Sequence, residues 1–253
     1  MKFLRDTWLV FQRQILLLLR NPVWVVVGIT QPLFYLLLFA PLMKKALSQG
    51  APLTDAQAYL IFVPGMLVMV ALFTAFSGFG LIAELRAGVI ERNRVTPVSR
   101  VALMLGRSLR DVVSLLFQAV LVTVLAVLFG MRVQVGNALL AYLLIALMAL
   151  LLSSLGYALG LALKSEDALA PMLNTLIQPI MLLSGILLPM YLAPAWLQRI
   201  ADFNPFSWAV KGVRELFAGN PGSPDVWKAL AILIPLTVFT LVLSSRAFAK
   251  SVR

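Results

Sequence analysis

The sequence predicts an all-α membrane protein with six transmembrane helices in one domain, residues 1–253. Three observations carry this. Hydrophobic residues make up 61% of the 253 and charged residues only 12%, where soluble domains carry about 25% charged. The charges are unevenly spread and leave six long uncharged runs. The basic residues then divide unequally between the two sides that those runs imply.

The runs are 21–43, 56–83, 112–131, 133–163, 168–198 and 229–245. A spanning helix needs about 20 apolar residues, so each run reads as a span. The fourth opens on Gln134, Gly136 and Asn137, which places its helix start near Ala138. Pro189 breaks the fifth, leaving 168–188 to cross. The sixth is short, but Lys228 can snorkel and Trp227 can sit at the interface. Six buried core helices in so small a soluble chain are a poor alternative. An even number of spans puts both termini on one side. With the termini in the cytoplasm, 14 of the 21 Lys and Arg residues lie inside, as the positive-inside rule requires. The net charge of +11 then belongs to the membrane surface, and nucleic acid is not needed to explain it.

The first twenty residues have no apolar stretch long enough for a signal peptide. Leu4, Trp8, Phe11, Ile15 and Leu18 recur at steps of four and three, the stripe of a helix lying in an interface. A plain solvated leader is the alternative. Asn21-Pro22 turns the chain into the first span.

Two polar segments carry further information. Residues 84–111 form a loop with six basic and three acidic residues. Its first part, 84–95, reads as a short helix with Glu84 near its N-terminus and Arg92 and Arg94 near its C-terminus, in the sense the macrodipole favours. Thr96-Pro97 stops it, and a second helix starts at Ser99. Such a helix suits a soluble partner, and an ordinary solvated basic loop fits equally well. Residues 189–219 are aromatic, amphipathic and broken by Pro189, Pro194 and Pro205. Short helices dipping into the outer leaflet fit that pattern.

Some chemistry is excluded. Cysteine and histidine are absent, which removes thiolate chemistry, His-centred catalysis and the usual zinc ligands. None of the seven lysines follows the glycine of a Walker A loop, so the chain does not bind ATP by that route. No metal site and no catalytic residue is expected. The uncharged runs hold no ionisable pair of the kind that proton-coupled pumps place in the bundle. Phe73 and Phe76 in span 2, with Asn174, Gln178 and Met181 in span 5, are candidates for a cargo path. Asn174 and Gln178 share a helix face, and methionine repacks around varied ligands. Helix–helix packing explains these residues as well. Gly156 and Gly160 form a Gly-x-x-x-Gly pattern expected to pack helices within one subunit.

The stretch Glu84-Leu-Arg86-Ala-Gly88-Val-Ile-Glu91-Arg92 leading to Thr96-Pro97-Val-Ser-Arg100 resembles the signature of the ABC-2 (type V) ATP-binding-cassette exporter permeases, in particular the bacterial drug-resistance subgroup. Ser184-Gly185, Asn204-Pro205 and Val213-Arg214 are similar to that family's outer re-entrant region, and residues 1–20 to its elbow helix. The resemblance implies that 84–95 is a coupling helix, with Glu84, Arg86, Gly88, Glu91, Arg92, Thr96 and Pro97 at the ATPase. It implies an exporter subunit in the bacterial cytoplasmic membrane for hydrophobic or amphipathic molecules. Two copies of the chain, as a homodimer, would work with two copies of a separate ATPase that holds ATP and Mg. Spans 2 and 5 would lie near the dimer axis. A secondary transporter or channel for small amphipathic solutes is the alternative, and a membrane enzyme would need a polar catalytic cluster.

Overall fold

The computed structural model describes residues 2–20, 30, 33–34, 37–38, 55–88, 99–186 and 190–251. Every regular element among them is helical. Four helical stretches are long and apolar enough to cross a membrane: 57–86, 101–128, 135–163 and 224–248, with mean hydropathies of 2.2 to 2.5. The first expected span, 21–43, lies almost wholly outside the described residues.

The amphipathic N-terminus is helix α1, Lys2–Arg20. Leu4 and Trp8 of its apolar stripe stand exposed, with Phe3, Leu9, Leu16, Leu17 and Leu19 beside them. The face turned to the protein carries Val10 and the buried Gln14. The second expected span is two helices, α2 (Asp55–Phe73) and α3 (Gly78–Arg86), joined by a 3-10 turn at Thr74–Ser77. Helix α4 runs Arg100–Leu128, and the Ser99 side chain caps it by accepting from the Ala102 amide. It therefore begins twelve residues before the uncharged run at 112. Arg107, Arg110 and Asp111, counted in the loop 84–111 although a helix start is read at Ser99, are helical residues of a span.

Helix α5, Val135–Leu163, is apolar on all sides and buried on most of them, as a central helix should be. It packs against α4, α2 and α3 and against the helices at 166–183, 205–218 and 224–251. Helix α6 covers the fifth expected span but ends early, at Glu166–Leu183. Its 18 residues reach about 27 Å at 1.5 Å per residue, and Asn174, Gln178 and two prolines lower its hydropathy. It is not among the four candidate spans. The segment expected at the outer side holds a 3-10 turn at Met190–Leu192, α7 (Ala195–Asp202) and α8 (Pro205–Ala218). Pro189 falls outside the described residues. The last span, expected to be short, is the 28-residue α9, Pro224–Ser251, lying along α5.

Two glycine contacts set the bundle's geometry. A Cβ on Gly156 would stand 2.0 Å from the Ala75 carbonyl oxygen, and one on Gly78 would stand 2.3 Å from that of Gly156. The 3-10 turn of span 2 therefore lies backbone to backbone on α5. The Gly-x-x-x-Gly pattern packs helices within the chain, as expected.

Candidate functional site

The aromatic candidates stand at the 3-10 turn. Phe73 and Phe76 stack at 5.9 Å between centroids, and Phe76 and Phe79 at 5.8 Å. In a 3-10 turn, residues three apart are eclipsed. The three rings thus form a rail along one edge of span 2, half-buried throughout. Phe79 was missed by the sequence reading. Its signal was the i, i+3, i+6 spacing, which an α-helix would spread around the axis.

Helix α6 divides its faces sharply. Leu169, Leu173 and Ile177 are buried. Asn174 and Gln178 lie exposed on the other side with Thr175. The Asn174 amide donates only to its own helix, at the Ala170 carbonyl, 3.0 Å. Met181 is half-buried against the main core.

The outer residues picked out by the family resemblance come together at the end of α6. Asn204 caps α8, its side chain accepting from the Phe206 amide at 3.0 Å. Its Nδ2 donates to the Ile180 carbonyl and to Ser184 Oγ, each at 3.0 Å. Arg214 donates from Nε to the Ile61 carbonyl at 3.1 Å and from Nη2 to that of Gly185 at 2.7 Å. Burial draws its guanidinium down to about 10, so it stays protonated at neutral pH. The bonds to Ile180 and Gly185 satisfy carbonyls where α6 stops, and the bond to Ile61 ties α8 to α2. The positive φ of 71° at Gly185 marks the turn that ends it. A cavity of about 280 Å³ lies beside Arg214, between Ile61, Ser184, Tyr191 and Asp225.

At the opposite end of the bundle, the candidate coupling residues behave differently from one another. Glu84 lies in the last turn of α3 and not at a helix N-terminus. The expected helix over 84–95 is thus corrected in its first part: α3 closes at Arg86, and Gly88 follows in a left-handed turn with φ 66°. A carboxylate at a helix C-terminus opposes the macrodipole, and here Arg107 compensates it. Arg107 Nη2 donates to Glu84 Oε2, with the Arg107 side chain only 5% exposed. Gln14 Nε2 reaches Glu84 Oε1 at 3.4 Å, and Arg110 Nη1 reaches Gln14 Oε1 at 3.5 Å. Arg110 Nε donates to Asp111 Oδ1 at 3.0 Å, and the buried Tyr157 hydroxyl donates to Asp111 Oδ2. Arg86 pairs with Glu166 at 3.4 Å, joining α3 to the start of α6. Glu91, Arg92, Thr96 and Pro97 lie outside the described residues.

Sequence reasoning missed Gln14, Arg107, Arg110, Asp111 and Tyr157. The available signal was the Ser99 cap. A helix counted from it carries Arg107, Arg110 and Asp111 at steps of three and four on one face. The bundle thus holds two carboxylates and two guanidiniums that compensate one another, where the uncharged runs implied no ionisable groups.

The chain is similar to known transport proteins over most of its length. It is 28% identical over 231 residues to the daunorubicin resistance ABC transporter permease protein DrrB1 of Streptomyces coeruleorubidus, covering 90% of this chain and 80% of that one. It is 27% identical over 247 residues to the putative transport permease ycf38 of Cyanophora paradoxa, covering 94% and 81%. The linearmycin resistance permease protein LnrN of Bacillus subtilis is 24% identical over 201 residues, covering 79% of this chain and 51% of that one. The profile of the ABC-2 type transporter family matches residues 5–218. Spanning helices, the capped outer segment and this match over most of the chain agree: the chain belongs to the ABC-2 type transporter family.

Proposed function

We propose that the chain is the permease subunit of an ATP-driven exporter that moves hydrophobic or amphipathic molecules, drug-like or lipid-like, out across the bacterial cytoplasmic membrane. The observation that carries this is the exposed face of α6. Asn174, Thr175 and Gln178 stand on it, and among the described residues no side chain partners them. Polar side chains in a membrane segment face protein or a water-filled path, because hydrocarbon leaves them unsatisfied. A second copy of the chain, or a path shared by two copies, would supply that setting. The phenylalanine rail and Met181 add apolar, polarisable surface nearby on the same reading.

Energy comes from an ATP-binding-cassette ATPase, two copies to two permeases, which holds ATP and Mg. Residues 84–95 and Thr96-Pro97 form the coupling segment, with Glu91 and Arg92 as ATPase contacts. The helix α1 lies in the cytoplasmic interface with its leucines and Trp8 in lipid. The outer segment 189–219 sits in the outer leaflet, where the exposed Trp196, Phe203 and Trp227 suit an aromatic belt.

The test is co-purification with a separately encoded ATPase, followed by cargo-stimulated hydrolysis in vesicles. Replacing Asn174→Leu with Gln178→Leu should change cargo preference while the complex still assembles. A double variant that transports every cargo as the parent does would assign the face to packing.

A further inference from the structure

The charged cluster at one end of the bundle joins four helices. Glu84 belongs to α3, Arg107, Arg110 and Asp111 to α4, Gln14 to α1 and Tyr157 to α5. The two ends that meet in it, the last turn of α3 and the first turns of α4, flank the connection that contains the coupling segment. The geometry points to Glu84, Arg107 and Gln14 as positioning residues that carry a displacement of these ends into α1. This rests on the proposed coupling to an ATPase and moves Glu84 from that interface to the interior.

Three observations support the assignment. First, the Glu84 carboxylate is already engaged by both of its oxygens inside the subunit, one by Arg107 and one by Gln14. Second, α1 lies flush on α4: a Cβ on Gly106 would meet Val10 Cγ1 at 2.7 Å and the Thr7 carbonyl oxygen at 3.0 Å. A shift of α4 therefore moves α1 with it. Third, Arg107 Nε is buried and has no partner. Arginine binds carboxylates best through two parallel bonds, yet Glu84 uses only one. If Glu84 Oε1 left Gln14 it could accept a hydrogen bond from Arg107 Nε and complete the fork. The carboxylate thus has two arrangements, one shared between α1 and α4 and one held by α4 alone. A coupling element needs two discrete states that both sites can bias.

Stability alone would not call for such a cluster. Apolar side chains of similar volume often replace a buried ion pair at no cost to stability, whereas a lone remaining partner is strongly destabilising. This difference separates a positioning role from a structural one. The experiment uses the full permease with its ATPase in lipid vesicles. The chain has no cysteine, so Thr175→Cys, on the exposed face of α6, reports conformation through its rate of reaction with a thiol reagent, with and without ATP. Into this background go Glu84→Leu with Arg107→Met, and separately the exchange Glu84→Arg with Arg107→Glu. The apolar pair should keep the ATPase bound and hydrolysing while ATP no longer changes the labelling rate. The exchange should restore the change. An apolar pair that keeps the full ATP response would overturn the assignment. Loss of ATPase binding in Glu84→Gln, which keeps size and hydrogen bonding, would also overturn it by returning Glu84 to the interface. Absence of any ATP response in the Thr175→Cys parent would count against the ATPase reading itself.

Discussion

Gly156 offers a graded test of how span 2 crosses α5. The smallest possible addition, Gly156→Ala, puts a methyl carbon 2.0 Å from the Ala75 carbonyl oxygen and 2.8 Å from its carbon. Ordinary contact begins at 3.4 Å, so one backbone must retreat by more than 1 Å. Both belong to helices held on other sides, and the nearest atoms are backbone, which cannot rotate away. An opening of about 1 Å forfeits up to roughly half of the dispersion energy of each contact it stretches. Overpacking of this kind typically costs about 1–3 kcal/mol. Alanine's better helix propensity returns only about 1 kcal/mol of that. At Gly160 the same methyl would meet the Gly78 oxygen at 3.0 Å, a much smaller conflict that the propensity gain should offset. Gly80 has nothing within 4 Å of its Cβ position, so Gly80→Ala should be neutral or stabilising. The assay is thermal unfolding of the three variants in one detergent. The expected order of stability is Gly80→Ala, then Gly160→Ala, then Gly156→Ala well below. If Gly156→Ala unfolds with the parent, the close crossing described above is wrong.

Arg214→Met should destabilise the outer segment, since two bonds from a charged donor are worth about 1.5–3 kcal/mol each; hydrogen exchange at Gly185 and Ile186 would show the loosened turn, and unchanged protection would remove Arg214 from that role. For topology, cysteines placed at Ser48 and Ser223 should react with an impermeant thiol reagent on intact cells, and labelling that requires lysis would reverse the orientation. The exchange Glu91→Arg with Arg92→Glu should leave the protein folded and weaken ATPase co-purification about tenfold or more, since a charge-assisted contact is worth about 1.5–3 kcal/mol. Normal binding and transport by that variant would exclude both as contacts.

Much of the fold was legible because hydrocarbon imposes a simple rule on sequence. Apolar runs of sufficient length marked the spans that the structure describes, and Ser99 marked a helix start by its capping chemistry. The outer residues Ser184, Gly185, Asn204 and Arg214 were visible as a motif. That they tie α8 to the end of α6 was not visible, because this depends on a turn only the folded chain shows. The 3-10 turn at 74–77 was equally hidden. Its residues are Thr, Ala, Phe and Ser, which fit an α-helix as well, and the backbone tightens there where it lies against Gly156. Propensity alone holds no trace of a contact 80 residues away.

The buried charges were missed for a different reason. Spans were found by searching for uncharged runs, and such a search ends each span at the first charge it meets. It can never place a charge inside one. Helix α4 shows the consequence: its apolar run begins at Val112, while its cap is at Ser99 and its buried charges lie between. Counting from the cap would have put Arg107, Arg110 and Asp111 inside the bundle and posed the question of what neutralises them. Burial of a charge is tolerated when its partners are buried with it. Those partners come from α1, α3 and α5. An end-to-end reading therefore meets two acids, two bases, a glutamine and a tyrosine as unrelated surface residues. Only the packing of α1 on Gly106 and of α5 under span 2 brings them into one compensated group. The same constraint limits where that group can sit. It sits at one end of the bundle because four helices converge there, and because long side chains near a helix end can draw their charges away from the hydrocarbon.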